Sequence, residues 1–441
     1  MKKILKMKKI IKYYNNSNII INKRYQHNKT IAIAMSGGID SAAVATILKQ
    51  QGYNCVGIFM KNWDSSDEIG KEVCSISKDR EDMRQVCERL KIPSLEVDFI
   101  KEYWNEVFIP FIDSYKTGIE TPNPDIACNR HVKFNCFIKY VRETLKIDTI
   151  ATGHYARLNI NKKNDQNIIT LKTAKDYIKD QSYFLCRTQG INFHNILFPL
   201  GEYNKKDIYK LMSDKLDGLN VLTKRESMGV CFIGKRDLPT FLSNYITLTP
   251  GRFIDIDTGE ILGFHKGKEI YTIGQGAKIS GRKDKYFVVK RIKNSHDIFV
   301  AIGQEHPALF NDSLTVNGKS ICWISGTLPD FVNKLVKDTY FTKQNNNNNI
   351  SISLNSYECY FKIRHGQLIS KCKLRIILKN KNNIDLNDIF TNMDYNILVS
   401  FESPQRAINP GQVIAFYQID EVNNISDGYI CLGGGVIGRA S

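Results

Sequence analysis

The feature that most constrains the fold is a short apolar run, a glycine-rich turn and a helix-like segment in direct succession. Residues 30–35 read TIAIAM, residues 36–41 read SGGIDS, and SAAVATILKQQ then leads to Gly52. This order fits a buried strand, a tight turn and a helix that ends at a glycine. A second apolar run, CVGIFM, follows at 55–60. Strand, helix and strand in this order predict a parallel sheet, because parallel neighbours need a crossover connection.

The same alternation continues to about residue 217 and then changes. SLEVDF at 94–99 and DTIAT at 148–152 are further strand candidates, and 79–90 and 128–145 are helix-like. From about 218 the chain shows short β-like pieces around turns such as DTGE. Four later segments read as strands and hairpins without a convincing helix: KYFVVKRIKNSHDIFVAIG, YECYFKIRHGQLISKCKLRIIL, YNILVSFES and GQVIAFYQ. A C-terminal β-barrel is the economical architecture for them.

We therefore predict an α/β protein in four parts. These are a basic arm at 1–29, a parallel-sheet domain at 30–217, a small central domain at 218–285 and a β-barrel at 286–441. A length of 441 residues agrees with about three domains of roughly 150 residues each. The asparagine run at 345–349 is best explained as an enlarged surface loop.

Composition excludes several classes of protein. Hydrophobic residues at 42% and charged residues at 24% are near globular values, and no apolar run approaches the ~20 residues that cross a bilayer. We therefore expect no membrane span. The 11 cysteines are scattered without a C-x-x-C pair, which argues against a zinc finger and against a dense secreted disulfide framework.

The net charge of +17 is concentrated at the N-terminus, where residues 1–30 hold nine lysines or arginines and no acid. A basic segment without acids, interleaved with Ile, Leu and Met, is typical of a mitochondrial transit peptide. The alternative is a basic arm that touches RNA. The remaining basic excess suits a polyanionic partner, although charge alone identifies none.

The turn SGGIDS has the properties of a phosphate loop. Two glycines let the backbone approach an anion, and the N-terminus of the helix presents free N–H groups and a positive dipole end. No lysine follows as in a Walker A loop, so we expect pyrophosphate to be held by backbone and hydroxyls, with adenylation as the chemistry. The alternative is an ordinary glycine turn in which Asp40 or Ser41 caps the helix.

Two cysteines are candidates for reactive thiols. The prolines at 122 and 124 keep the preceding residues extended, so Asp125 becomes a candidate N-cap and Cys128 falls in the first helical turn. A helix N-terminus and nearby cations lower a thiol pKa, and three residues supply cations here: Arg130, His131 and Lys133. Cys231 lies among glycines and basic residues in GVCFIGKR, which suits a cysteine that carries a labile sulfur. For either cysteine the alternative is a small buried filler.

The segment ATGHY at 151–155 ends a strand candidate, where an open sheet binds its ligands, so Gly153 and His154 are candidates for the nucleotide pocket. His154 could equally be a satisfied turn residue. A second polar segment, KDQSY at 179–183, opens a helix-like run.

Taken in order, AMSGGIDS, GIFMKNWD, TPNPDIACNRHVKF, ATGHYAR, KDQSYFL, GVCFIGKR, YTIGQ and PGQ resemble the tRNA-specific 2-thiouridylases, mitochondrial type. The resemblance covers about 29–438 apart from the asparagine run. SGGxDS alone marks only the broad ATP-pyrophosphatase superfamily, but PNPDxxCN and GxCFIG are far narrower. Ala34 departs from the glycine of many members, and Ser227-Met228-Gly229 replaces Ser-Thr-Gly.

The resemblance implies an ATP-pyrophosphatase domain of the adenine nucleotide alpha-hydrolase type and a role for most of these motifs. ATP, with Mg²⁺, would activate the C2 oxygen of the wobble uridine of tRNA, and sulfur from a cysteine persulfide would then displace AMP. A separate protein would donate that sulfur. The residues implied for ATP are Ala34, Met35, Ser36, Gly37, Gly38, Ile39, Asp40, Ser41, Met60 and Gly153.

The resemblance also implies the residues for sulfur transfer and for tRNA. Cys128 would be the nucleophile and Cys231 the persulfide carrier, with a disulfide between them possible in the cycle. Asn123, Pro124 and Asp125 would contact the target base. The remaining residues implied in tRNA contact are His154, Lys179, Asp180, Gln181, Arg364, His365 and Gln412.

Basic hairpins of the barrel, including Lys362 and Arg364, are expected to contact tRNA phosphates. Two other functions remain open from the residues themselves. One is another ATP-pyrophosphatase ligase, although no glutamine-hydrolysing cysteine domain is visible in the sequence. The other is a non-catalytic RNA-binding protein that keeps the ATP fold for its structure.

Overall fold

The computed structural model describes residues 29–64, 75–163, 166–224, 230, 232–234, 236–346, 350–353, 355–379, 386–422 and 425–440. Two sequence expectations fall outside these residues: Cys231, and the basic arm apart from Lys29. The strands, in chain order, are β1 (Thr30–Met35), β2 (Asn54–Lys61), β3 (Ser94–Asp98), β4 (Thr149–Ala151), β5 (Ala156–Lys163), β6 (Gln166–Thr173), β7 (Ile196–Leu197), β8 (Gly251–Asp255), β9 (Ile261–His265), β10 (Tyr286–Arg291), β11 (Ile298–Ile302), β12 (Phe310–Asn317), β13 (Cys322–Trp323), β14 (Ile350–Ile352), β15 (Tyr357–Lys362), β16 (Ser370–Lys379), β17 (Asn396–Arg406), β18 (Val413–Val422) and β19 (Ile425–Ala440).

The helices include two segments of π-helix among the α-helices. The α-helices are α1 (Ile39–Gln50), α2 (Ser75–Leu90), α3 (Ile100–Tyr103), α4 (Ile109–Lys116), α5 (Pro124–Ala127), α6 (Ile138–Glu143), α7 (Ser182–Leu185), α8 (Lys205–Ser213), α9 (Leu238–Ser243), α10 (Asp330–Asn346) and α11 (Leu386–Asn392). The π-helical segments are Trp104–Phe108 and Cys128–Phe137. The 3₁₀ turns are Gly190–Phe193, Pro199–Glu202, Asn220–Leu222, Lys268–Ile270, Pro307–Leu309 and Gly318–Ser320.

The first domain is built on a parallel sheet with the strand order β3-β2-β1-β4-β7 in the described part of the chain. Each of its neighbouring pairs is parallel. The predicted strand at residues 30–35 is confirmed as β1, and those at 55–60, 94–99 and 148–152 are confirmed within one residue at each end. The central position of β1 explains its uninterrupted apolar sequence, because helices cover both faces of such a sheet.

The second unit is a small sheet with the order β10-β11-β8-β9 in the described residues. The first two strands come from the segment KYFVVKRIKNSHDIFVAIG, which we expected in the C-terminal barrel. Instead, β11 pairs in parallel with β8, and Phe253 of β8 packs with Val288 and Val300 in one apolar cluster. The expectation was wrong because strand propensity identifies a strand without identifying its partner. The expected boundary at residue 285 falls just before β10.

The third unit is an antiparallel barrel. The strands β12, β17, β16, β15, β18 and β19 follow one another, and pairing of β12 with β19 closes the circle. The hairpin β5–β6, which lies in the chain between β4 and β7 of the parallel sheet, adds to β19 through β6. Helix α10 ends within the asparagine run, whose last residues are not described. Within the described ranges, every helix is too short or too polar to cross a bilayer.

Candidate active site

The phosphate-loop candidate lies where β1 ends and α1 begins. Ser41 Oγ accepts a hydrogen bond from Ser36 N at 3.1 Å and donates one to Gly38 O at 3.0 Å, which holds the turn closed. Gly38 is the N-cap of α1, and no side chain caps this helix. Asp40 and Ser41 are therefore not caps. The first amides of α1 stay available to an anion, and the helix dipole favours negative charge there.

Two glycines of the loop region are required by close contacts. Gly37 has a φ of +71°, and a Cβ at this position would lie 2.1 Å from the carbonyl oxygen of Asp79. A Cβ on Gly153 would lie 3.1 Å from the backbone nitrogen of Ser41. Gly153 thus lies against the first turn of α1, and its role in ATP binding stays a prediction.

The other residues expected to bind ATP surround this loop. Met35 and Ile39 are 1% and 4% exposed, so their side chains belong to the core and their backbone borders the loop. Ala34 is partly exposed near the end of β1, and Met60 is partly exposed on the neighbouring strand β2. Their roles in ATP binding stay predictions.

A buried lysine that the sequence analysis missed lies at the helical end of the loop. The Nζ atom of Lys205 is 2.6 Å from Asp40 Oδ1, and the hydroxyl of Tyr155 donates to the same oxygen at 2.9 Å. The Lys205 side chain is 8% exposed. Lys205 is the first residue of α8, and its backbone nitrogen donates to Asp176 Oδ2 at 2.9 Å.

A second missed lysine lies at the opposite end of the loop. Lys224 Nζ is 3.2 Å from the carbonyl oxygen of Gly37 and forms ion pairs with Asp79 and Asp82 of α2. Burial lowers the pKa of Lys224, but the two carboxylates outweigh it and raise that pKa above 10.5. No local motif marks either lysine, and only the fold brings them to the loop.

Cys128 begins the π-helical segment that directly follows α5. The N-cap is Asn123, whose Oδ1 accepts from Ile126 N at 3.2 Å. The expectation that Asp125 caps this helix was wrong, because Pro124 occupies the first helical position, where a missing N–H is harmless. Cys128 is therefore one residue beyond the first turn. Its side chain is 7% exposed.

The cations around Cys128 are fewer than the sequence suggested. His131 Nδ1 lies 3.6 Å from Glu106 Oε2 on the neighbouring π-helical segment. Burial and then the charge of Arg130 lower the pKa of His131 below 6.5. The imidazole is therefore mainly neutral near pH 7, and positive charge in this helix comes from Arg130 and Lys133.

His154 is a neutral, well-bonded side chain. Its Nδ1 is 2.7 Å from Thr152 Oγ1, and its Nε2 is 3.2 Å from Asn129 Oδ1. The rings of Phe134 and Phe198 pack at centroid distances of 5.4 and 5.6 Å. Burial among these groups lowers the pKa of His154 well below 6.5. The satisfied turn residue and the pocket residue, which we posed as alternatives, are both consistent with this position.

The dipeptide Gly153–His154 joins the two halves of the site. Gly153 lies against Ser41 at the start of α1, and His154 bonds Asn129, the residue after Cys128. Consecutive residues at the carboxyl end of β4 therefore hold both the phosphate loop and the helix of the candidate nucleophile. Open parallel sheets bind their ligands beyond this edge.

The segment at 179–181 contributes mainly internal contacts. Asp180 is 1% exposed, and its Oδ2 lies 3.0 Å from Nζ of the buried Lys362. Gln181 Oε1 accepts from Tyr155 N at 3.0 Å, whereas Lys179 is partly exposed. The expectation that Lys362 contacts phosphate was wrong, because this side chain is buried in an ion pair. The tRNA contacts of residues 179–181 stay predictions.

The barrel residues expected to contact tRNA lie around a cavity of about 280 Å³. Arg364 and Gln412 line it together with Arg406 and Asn409. His365 lies beside this group and packs on a ring of α7, that of Phe184, at 4.6 Å. Gln412 Nε2 donates to Thr121 O at 2.7 Å, which connects the barrel to the loop before Asn123.

The residue after Cys231 is firmly packed. Phe232 is 1% exposed and contacts Trp63, Phe108 and Phe111 at ring distances of 5.5, 5.4 and 5.1 Å. Trp63 follows the strand that carries Met60. Phe232 therefore fixes the chain beside Cys231 to the domain of the phosphate loop.

The protein combines three units: a parallel-sheet domain with a candidate phosphate loop, a small central sheet and an antiparallel barrel. This combination is typical of a multidomain enzyme that has a nucleotide-binding domain. Profiles described as tRNA methyl transferase HUP domain, tRNA methyl transferase PRC-barrel domain and aminomethyltransferase beta-barrel domain match residues 29–235, 239–302 and 335–437. The chain belongs to the tRNA-specific 2-thiouridylase family, as its full-length relatives establish.

Those relatives include both mitochondrial and bacterial proteins. The mitochondrial tRNA-specific 2-thiouridylase 1 of Gallus gallus is 37% identical over 439 residues, which cover 93% of this chain and 92% of the relative. The Homo sapiens protein of that name is 37% identical, covering 93% and 90%. The tRNA-specific 2-thiouridylase MnmA of Staphylococcus aureus is 36% identical, covering 92% and 94%. A solved U34-tRNA thiolase from Methanococcus maripaludis, with 18% identity and a TM-score of 0.28 over 50% of this chain and 65% of that one, is too distant to add to this.

Proposed function

We propose that this chain is an ATP-dependent tRNA 2-thiouridylase that replaces the C2 oxygen of the wobble uridine with sulfur and releases AMP and pyrophosphate. The observation that carries the proposal is the Gly153–His154 link, because it joins an anion-binding loop to the helix of a candidate nucleophile. Full-length relatives are named for this reaction. The basic arm and the names of the mitochondrial relatives support a mitochondrial location.

The loop residues fit the polyphosphate of ATP. The amides at the start of α1 are uncapped and can bind phosphate oxygens, and Lys205 and Lys224 lie at either end of the loop. ATP supplies the adenylyl group that makes the uridine oxygen a good leaving group. In the described part of the chain no three His, Cys, Asp or Glu side chains gather as metal ligands, so we propose that Mg²⁺ is held chiefly by phosphate oxygens.

The base would be held by the segment that caps the Cys128 helix. Asn123, Pro124 and Asp125 lie at the start of α5, and Asp125 is exposed. Attack of the uridine O2 on the α-phosphorus forms one P–O bond and breaks the bond to pyrophosphate. The N3 proton of the base leaves to solvent. His154, which is neutral, orients Asn129 and needs no change in charge.

Sulfur transfer would use both cysteines. The outer sulfur of a Cys231 persulfide attacks C2, the C2–O bond breaks, and AMP leaves with the original oxygen. The Cys128 thiolate then attacks Cys231 Sγ, which releases thiouridine and leaves a Cys128–Cys231 disulfide. An external dithiol must reduce this disulfide, and a persulfide-donor protein must reload Cys231. The exposed Arg364 and the partly exposed Lys179 are proposed to contact the tRNA, beside the base-binding segment.

The test follows the oxygen atom. A tRNA carrying ¹⁸O at C2 of the wobble uridine is incubated with the full-length protein, ATP and a low-molecular-weight persulfide, which passes its outer sulfur to Cys231, and AMP is analysed by mass spectrometry. The proposal predicts heavy AMP in equal amount to thiouridine, and a tRNA with cytidine at this position should give neither product. Thiouridine formed together with unlabelled AMP would contradict the proposal. The absence of thiouridine from a folded preparation that binds ATP and tRNA would also contradict it.

A further inference from the structure

The loop that leads to the base-binding segment is fastened at Thr121. This residue is 7% exposed, and each of its polar groups is bonded to a distant part of the chain. Its N–H donates to Pro410 O at 2.8 Å, and its carbonyl accepts from Gln412 Nε2 at 2.7 Å. Its Oγ1 accepts from Arg291 Nη2 at 3.1 Å. Thr121 therefore joins the first domain to both of the others.

The contact from the central sheet is made by a buried guanidinium. Arg291 is the last residue of β10 and is 7% exposed. Its Nη2 also donates to Ile119 O at 2.8 Å, so a single nitrogen holds two positions of the loop. Burial lowers the pKa of Arg291 to about 10, which still leaves the group charged at neutral pH. Its Nε and Nη1 are buried without a hydrogen-bond partner among the described residues, so the guanidinium depends on the two bonds made by Nη2.

The barrel contact depends on an unusually close approach. A Cβ on Gly411 would lie 2.9 Å from Thr121 N, and Gly411 has a φ of +85°. A glycine at this position therefore lets residues 410–412 reach the loop backbone. The loop is held from two sides, by Arg291 of the central sheet and by the turn before β18.

We propose that Arg291 is a positioning residue for the thiolation reaction, which acts through Thr121 to fix the base-binding segment and the helix of Cys128. This inference rests on the proposed function. Thr121 is two residues before the cap Asn123, so a shift of Thr121 moves the start of the helix directly. Arg291 itself is too buried to meet a tRNA phosphate. The ATP loop is attached elsewhere, through Gly153, and does not depend on this contact.

The experiment compares Arg291→Met, Arg291→Lys and Thr121→Val with Lys290→Gln, which alters the exposed neighbour of Arg291 on β10. With saturating ATP and tRNA and a low-molecular-weight persulfide as the sulfur donor, we expect Arg291→Met to slow single-turnover thiouridine formation by about 10- to 100-fold, because small misplacements have effects of this size. ATP affinity should change by less than about two-fold. Arg291→Lys keeps the charge and should recover part of the rate. Arg291→Lys should slow the reaction much less in the Thr121→Val background, where the shared contact is already lost.

Hydrogen exchange gives a readout that does not need activity. Arg291→Met should speed amide exchange in residues 119–128 and leave α1 unchanged, with both variants at position 291 still folded by circular dichroism. A rate and an exchange pattern like those of Lys290→Gln would overturn the inference, as would an equal loss in ATP affinity. If the wild-type protein makes no thiouridine, the proposed function fails, while the exchange data still decide whether Arg291 positions the loop.

Discussion

The ammonium group of Lys205 lies 2.6 Å from the carboxylate of Asp40, although 165 residues separate the two in the chain. Asp40 belongs to the candidate phosphate loop at residues 36–41, which has no lysine of its own. Helix α8 supplies the missing cation, and the hydroxyl of Tyr155 holds the same carboxylate oxygen. The loop thus has a charged partner that was not evident in the sequence.

Replacing Lys205 with methionine is expected to weaken ATP binding by about 10- to 100-fold, the size typical for a lost hydrogen bond to a charged group. The measurement is the dissociation constant for ATP from isothermal titration calorimetry. Lys206→Met removes an exposed lysine one residue away and serves as the control. Equal affinities in the two variants would show that Lys205 has no role at the phosphates.

Alanine substitutions at Gly37 and Gly52 distinguish the effect of a steric contact from the effect of backbone strain. Both have positive φ values, +71° and +88°, but only Gly37 lies against another backbone segment. Gly52→Ala should lower the free energy of unfolding by about 1–2 kcal/mol, the strain of that conformation. Gly37→Ala should lower it further and abolish ATP binding, because its Cβ would overlap Asp79 O. Urea denaturation and ATP titration check this, and equal losses of stability would contradict it.

A buried ion pair between Asp180 and Lys362 joins the first domain to the barrel, and removal of one partner should destabilise the protein. The two side chains are 1% and 4% exposed. Lys362→Met should lower the free energy of unfolding by about 3–5 kcal/mol, because it leaves the buried carboxylate of Asp180 without its counter-charge. Adding Asp180→Asn should recover part of that loss. Lys371→Met on β16 is exposed and should change stability by less than about 0.5 kcal/mol. If Lys362→Met also changed the free energy of unfolding by less than about 0.5 kcal/mol, the prediction would be refuted.

Acid should destabilise the protein through histidines that are held neutral. Burial lowers the pKa of His154 and of His365 below 6.5. Below about pH 6.5 the unfolded chain therefore binds more protons than the folded one, and stability falls as pH falls. The stability that these neutral histidines contribute is fully present above about pH 6.5. The melting temperature should drop between about pH 7 and 5, and less so in His154→Gln, which cannot titrate. The same pH dependence in both proteins would exclude His154 as a cause.

The parts of the fold that sequence predicts well are those fixed by local chemistry. The strand β1, the glycine turn and α1 follow from an apolar run, two glycines and a helical composition that agree with one another. The segment around Asn123 shows the limit: two polar residues could cap the helix, and Pro124 decided in favour of Asn123. The preference of proline for the first helical position was the sequence signal that the prediction of Asp125 overlooked.

Contacts between residues that are far apart in the chain could not be predicted from the sequence. Lys205, Lys224 and Arg291 carry no motif, and each acquires its place only when separate segments pack together. Lys362 was assigned to tRNA because basic hairpins usually face solvent, but its carboxylate partner lies in another domain. The strand β10 was recognised as a strand, yet its partner sheet depends on contacts that propensity does not encode.

The most direct test of the account is a single-turnover reaction with Cys128→Ser and Cys231→Ser beside the wild type. Purified protein is loaded with a low-molecular-weight persulfide, which passes its outer sulfur to a thiolate, and is freed of the excess. ATP and an unmodified tRNA with a wobble uridine are then added, and thiouridine and AMP are measured together. The account predicts thiouridine and AMP in equal amounts for the wild type, and no thiouridine in either variant although both still bind tRNA. Thiouridine made at the wild-type rate by Cys128→Ser, or AMP without thiouridine in the wild type, would contradict it.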